Sequence, residues 1–197
     1  MLTKKQKVRK ELIKAAATAF MAKGYTRTTM DDIALATGKA KSTLYYYFES
    51  KKEAFQEVVQ LEGDMLRKKL LKIVQDPHRT ARKKLEDYVL TRWKEFEKLG
   101  RKYQTMRQEF VHNARFVDKY RRQYDELEHQ FIAEIIHQGV KSREFRIQDS
   151  EVDLMALTLS LTMKTLEIPF FVQGDVRTFL PKLKRLLDVL FHGLVAE

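Results

Sequence analysis

Apolar residues recur at intervals of three and four along almost the whole 197-residue chain, and only seven Gly and three Pro interrupt them. One face of an α-helix repeats about every 3.6 residues, so this spacing calls for amphipathic helices and not for the alternation of half-buried strands. The first stripe runs Val8, Leu12, Ala16, Phe20, with Ile13, Ala17 and Met21 beside it, and Thr3 followed by Gln6 has capping-box spacing. Gly24 supplies a stop, since glycine enters the left-handed region at no side-chain cost. A short second helix opens at Thr28 or Thr29, carries Asp31 and Asp32 at its positive end, and closes at Gly38. Lys41 to Phe48 forms a third. Ser50 with Glu53 begins a fourth helix that reaches Val74, where Asp76-Pro77 ends it because the residue before proline avoids helical geometry. Gly100 and Gly139 close two later stretches, and Ser150 with Asp153 opens another. The pattern predicts an all-α fold of about nine helices, divided into residues 1–50 and residues 51–197.

Charge is distributed unevenly over that scaffold. Residues 1–52 hold twelve Lys and Arg against four Asp and Glu, an excess of eight out of the net +11, so a polyanion is the expected partner. The absence of cysteine excludes disulfide scaffolds, cysteine zinc sites and a cysteine nucleophile, and no glycine-rich phosphate loop is present. The first 14 residues are basic and lack the apolar run of an export signal. The greasiest stretch, residues 152–172, is interrupted by Asp153 and Lys164, against a membrane span. A cytoplasmic protein with no membrane association is the expectation.

The segment from Thr28 to Phe48 is the most informative. Two short helices meet at Gly38, with small Ala34 and Ala36 where their backbones approach. At about 100° per residue, Leu44, Tyr45 and Phe48 fall on one side of the second helix. Lys39, Ser42, Thr43 and Tyr46 take the other side, flanked by Tyr47. An apolar face docks the helix and a polar, basic, aromatic face stays outside, the layout of a major-groove reader.

Ala19-Phe20, Gly24-Tyr25, Thr28-Thr29, Ile33-Ala34, Gly38, Thr43-Leu44-Tyr45, Tyr47-Phe48, Ser50-Lys51 and Phe55 stand at fixed spacing in a single run of about 45 residues. This run resembles the DNA-binding domain of the TetR family of transcriptional regulators. Two positions depart from the family pattern: Lys39 replaces a usual apolar residue, and Ala40 stands where a serine often caps the recognition helix. The chemistry assigns Lys39, Lys41, Lys51 and Lys52 to phosphates, with weaker help from the hydroxyls of Thr28, Thr29 and Tyr46. Ser42 and Thr43 are short enough to let the helix sit deep, and Tyr46 and Tyr47 reach phosphate, sugar or base edges. The resemblance implies a Lys41–DNA contact although an ideal helical wheel turns Lys41 toward the docked side.

Beyond the motif, residues 152–168 are apolar nearly all round, with Leu154, Met155, Leu157, Leu159, Leu161, Met163 and Leu166 mixed with small polar residues. Such a helix must be buried on every side. The resemblance implies that it joins the Leu-rich last helix in a four-helix homodimer interface, giving two half-sites about 34–36 Å apart on a palindromic operator in double-stranded DNA. The resemblance also implies a cavity for a small-molecule effector, which usually releases DNA. Tyr88, Trp93, Phe96, Tyr103, Met106, Phe110, Phe131, Met155 and Met163 suit a lipophilic ligand, and Glu97, Glu109 or Glu167 a cationic one. The function expected is therefore a repressor, not an enzyme, with no cofactor or metal.

Two other classes compete. Glu109-x-x-His112, Glu126-x-x-His129 and Glu134-x-x-His137 have the spacing used by di-iron carboxylate bundles, although the last two share one helix. A helical adaptor or membrane-surface protein would use the basic first helix but leave Lys39 to Phe48 without a purpose.

Overall fold

The computed structural model describes residues 3–106, 109, 114–173 and 176–192. Their regular structure is entirely helical. The elements are α1 (Lys4–Arg27), α2 (Met30–Thr37), α3 (Lys41–Tyr47), α4 (Lys51–Val74), α5 (Ala81–Lys102), α6 (Ala114–Lys141), α7 (Val152–Gln173) and α8 (Val176–His192), with single 3-10 turns at Gln104–Met106 and Asp149–Glu151. The described residues thus hold eight α-helices where the sequence pattern predicts about nine. Phe110 and His112, singled out above, lie outside the described residues.

The chain forms two compact units: Met1–Met65 with Arg101–Tyr120, and Leu66–Gly100 with Arg121–Glu197. The first unit therefore extends past residue 50 and takes in a segment from mid-chain. Its core is the predicted stripe of Leu12, Ala16 and Phe20, joined by Ile33, Leu44, Phe48, Phe55 and Val58. Thr3 and Gln6 form the predicted capping box of α1. Gly24 breaks the helical backbone of α1 with φ 78°, and the chain turns toward α2 through Tyr25 to Thr29.

The second unit is built around Tyr88, Trp93, Ile132, Ile135, Ala156, Met163 and Leu187. Its interior is not wholly apolar. The Arg92 guanidinium, 3% exposed as a residue, is bidentate on the Glu128 carboxylate, with Nη2 to Oε2 at 3.0 Å and Nε to Oε1 as the second bond. Nearby Lys84 donates to Gln138 Oε1 at 2.6 Å. On α7, Val152, Ala156, Ser160 and Met163 are buried, whereas Leu154, Leu157 and Leu161 are exposed. Over residues 152–166, where the side chains are described, one side of this helix is covered, short of the all-round burial its composition calls for.

Gly139 does not stop α6, which continues to Lys141. The Phe145 ring lies over Gly139, and its carbonyl accepts from Glu144 and Phe145 amides at 2.8 and 3.1 Å. The left-handed residue that ends the helix is Arg143, with φ 60°.

Candidate nucleic-acid interface

The helix-turn-helix is assembled from short pieces that cannot stand alone. Seven residues are far below the length at which an isolated helix holds in water, so α3 depends on docking. Leu44 and Phe48 are both fully buried, and side chains of this size contribute about 1.5–3 kcal/mol each when taken from water. α2 starts with a reciprocal cap: Thr29 Oγ1 accepts from the Asp32 amide at 3.2 Å, and Asp32 Oδ2 accepts from the Thr29 amide at 2.9 Å. Lys23 adds a 2.5 Å ion pair to the same carboxylate. The Lys23 hydrogen bond and then the Thr29 contacts hold the Asp32 carboxyl down to about 2. α2 ends at Gly38, left-handed with φ 63°, as its position before the turn requires.

The predicted contact residues divide by what surrounds them. Ser42 and Lys52 are exposed and Thr43 is half-buried. Tyr46 is 70% exposed, packs edge-on against Tyr47 with centroids 5.1 Å apart, and has Lys5 Nζ 5.2 Å above its ring. Lys41 pairs with Asp31 at 2.7 Å, and this hydrogen bond raises its pKa. Lys39 lies 3.8 Å from Glu11. Ala40 precedes α3 without a side-chain cap, and Ser42 does not supply one because the helix already begins at Lys41.

Three expectations need correction. Thr28 is 1% exposed, and its hydroxyl donates to the Gly24 and Ala19 carbonyls at 2.6 and 3.3 Å, so it braces the end of α1 and is not available to DNA. Tyr45, expected on the docked side, is 45% exposed, with Lys41 Nζ 6.0 Å from its ring. Lys51 directs its ammonium inward onto the Tyr25 and Thr26 carbonyls at 2.9 and 3.1 Å and over the Tyr25 ring. Thr29 remains exposed, but its hydroxyl is engaged by Asp32. Lys5, which no motif in the sequence singles out, stands beside Tyr46; the basic composition of α1 is its only signal. Leu35, exposed on α2, was also unmarked.

The candidate effector residues do not form one group. Tyr103 and Met106 are buried in the first unit, where the Tyr103 phenol donates to Glu62 Oε1 at 2.7 Å. Tyr88, Trp93 and Met163 belong to the second unit's core, Phe96 and Phe131 are half-buried against it, and Met155 is exposed. Burial, chiefly, and the nearby Glu128 charge push the Tyr88 phenol well up. Glu109 accepts the backbone amides of Tyr25 and Thr26.

The di-iron alternative finds no support in the described residues, none of which form a group of three or more His, Asp or Glu placed for a metal ion. His129 faces Asp153 and His137 faces Asp149, at 3.1 and 2.9 Å. Among the described residues no helix is long and apolar enough to cross a membrane.

Comparison with known proteins converges on the same segment. The family model for bacterial regulatory proteins of the tetR family matches residues 12–58. A Staphylococcus aureus protein, the biofilm operon icaADBC HTH-type negative transcriptional regulator IcaR, is 43% identical over 56 residues, which span 28% of this chain and 30% of IcaR. Over its whole length the fold is similar to a TetR-family transcriptional regulator from Syntrophomonas wolfei, with TM-score 0.72 and 14% identity, covering 98% of this chain and 99% of that one. It is also similar to the fatty acid degradation regulator FadR from Bacillus halodurans, with TM-score 0.66 and 21% identity, covering 96% and 97%. With the cap, turn and docked third helix in place, residues 12–58 of this chain form a helix-turn-helix that is similar to the domain shared by the tetR family of bacterial regulatory proteins.

Proposed function

We propose that the chain is a sequence-specific DNA-binding transcriptional regulator, acting as a homodimeric repressor on a palindromic operator. The observation that carries this reading is the outward face of α3: Ser42, Thr43 and Tyr46 stand over a buried Leu44 and Phe48, bordered by Lys39, Lys41 and Lys5. Short hydroxyl side chains admit close approach to base edges, and the surrounding ammonium groups meet phosphates. Tyr47 flanks this set, Lys52 adds charge at the start of α4, and Thr29 sits at the start of α2.

One recognition helix reads too few base pairs for specificity, so two copies are needed. The apolar stripe of Leu154, Leu157 and Leu161 on α7, with exposed Leu186 on α8, supports a self-complementary interface through these last two helices. An effector in the second unit, among Tyr88, Trp93, Phe96, Phe131 and Met163, would shift the dimer to a form that no longer matches successive grooves. A differential affinity of about 1–3 kcal/mol between the two forms changes operator binding about 5–150-fold. Two neighbours of like fold are described as regulators of fatty acid metabolism or degradation, in keeping with a lipophilic effector.

Selection of bound duplexes from a random library tests the reading, with a site of dyad symmetry as the expected product. In gel shifts on that site, Thr43→Ala and Tyr46→Phe weaken binding while the thermal melt stays nearly unchanged. Unaltered binding by both variants refutes entry of α3 into the groove.

A further inference from the structure

Tyr25 and Thr26, which follow the Gly24 break at the end of α1 and lead toward α2, are held from two sides by opposite charges. The Glu109 carboxylate accepts the amide of Tyr25 at Oε2, 2.7 Å, and the amide of Thr26 at Oε1, 2.9 Å. The Lys51 ammonium donates to the carbonyls of the same two residues. Both faces of consecutive peptide groups are therefore fixed by charge-assisted hydrogen bonds, roughly twice as strong as neutral ones. Gly24 permits the arrangement: at φ 78° it opens the helix, and a Cβ there would lie 3.2 Å from both Glu109 oxygens. Just before Glu109 in sequence, Thr105 donates to the Met21 carbonyl at 2.8 Å, tying the same segment to the end of α1.

This joint determines where the reading helix lies. α2 follows it directly, with Asp32 tied back to Lys23 on α1, and α3 follows α2 after the three-residue turn Gly38 to Ala40. A rotation of the Tyr25–Thr26 peptide planes therefore displaces both helices together. We propose that Glu109 is a positioning residue for operator recognition: it holds the α1–α2 joint so that α3 meets the groove in register, without touching DNA itself. The proposal rests on the DNA-binding reading. It also has a sign that simple electrostatics does not share. Removing a carboxylate from a DNA-binding unit lessens repulsion and would strengthen binding to every duplex, whereas loss of register weakens binding to the operator alone.

The test uses the full chain and the duplex selected from the random library. Glu109→Gln, which keeps the size but loses the charge and one acceptor, is expected to bind the operator about tenfold more weakly. Its affinity for random-sequence DNA should stay equal or rise, and amide hydrogen exchange at Tyr25 and Thr26 should accelerate. Glu109→Asp restores part of the specific-to-random ratio. Gly24→Ala, which crowds the carboxylate from the other side, shifts the ratio in the same direction as Glu109→Gln and serves as an independent variant. Unchanged exchange at Tyr25 and Thr26, or operator and random affinities rising together, overturns the role. A wild-type chain that enriches no sequence refutes the regulator reading and this role together. A wild type that enriches one, with a ratio insensitive to Glu109→Gln, refutes the role alone.

Discussion

Replacing Glu128 by alanine should damage the second unit more than any exposed charge substitution in the protein. The side chains of Arg92 and Glu128 are 4% and 11% exposed, so removal of the carboxylate leaves a guanidinium buried without its bidentate partner. Breaking a buried pair in this way costs about 3–5 kcal/mol, against about 0–1 kcal/mol for an exposed one. Lys83 with Asp87, a 2.8 Å pair whose lysine is half-exposed, is the internal control. A domain is stable by only about 5–15 kcal/mol, so the loss is a large share of the total. The protein supplies its own probe: Trp93, its single tryptophan, is fully buried beside Arg92 in the same core. Urea unfolding followed by Trp93 fluorescence, with a slope of about 2 kcal/mol per M, should show a midpoint lowered by about 1.5–2.5 M. The double variant Arg92→Met with Glu128→Leu should recover most of this, because an apolar pair of similar volume removes the desolvation penalty with the charges. A midpoint for Glu128→Ala within about 0.5 M of wild type, or a double variant no better than either single one, would refute the reasoning.

Three further outcomes follow from other parts of the molecule. Asp32 is depressed to about 2 by Lys23 and Thr29, so its contribution is present above its unfolded value near 4 and is lost as pH falls toward 2; protection of the α2 amides, measured against their intrinsic exchange rate at each pH, should fall over that window more steeply in wild type than in Asp32→Asn. Gly139→Ala should destabilise the second unit in the same fluorescence assay, since the new Cβ would come within 2.2–2.9 Å of the Phe145 ring. Overpacking of about 1–3 kcal/mol there outweighs the gain of about 1 kcal/mol in helix propensity, and a raised midpoint would contradict this. Wild type should sediment as a dimer, and Leu157→Lys combined with Leu161→Lys as a monomer; equal sedimentation of both proteins would remove α7 from the interface.

Local order was the legible part of this sequence. The Thr3–Gln6 capping box, the Leu12–Ala16–Phe20 stripe, the Gly38 turn and the end of α4 before Asp76-Pro77 each depend on residues within one or two helical turns. Tyr45 shows where a wheel fails: in a helix of seven residues, Leu44 and Phe48 suffice for docking, and the neighbouring ring is left at the edge. Thr28 reads as a surface hydroxyl because sequence spacing carries no information on the Ala19 carbonyl nine positions away. Lys51 and Glu109 are further from view, since their partners lie 25–26 and 83–84 residues off in the chain. Gly139 reads as a terminator until Phe145, six positions on, closes over it. The outward face of α3 was thus readable from its own residues, and the supports that hold it there were not.

Lys41 and Lys39, which border the outward face of α3, are already engaged within the protein, Lys41 by Asp31 and Lys39 by Glu11. A phosphate that takes Lys41 exchanges one anionic partner for another, so this contact brings little unspecific stickiness and matters only where the whole helix fits. On the proposed function, the general attraction to nucleic acid would fall instead to Lys4, Lys7, Lys10 and Lys14, all exposed along α1. On the proposed function, search and recognition would fall to different helices: a salt-sensitive sled beside a reader that exchanges one anionic partner for another.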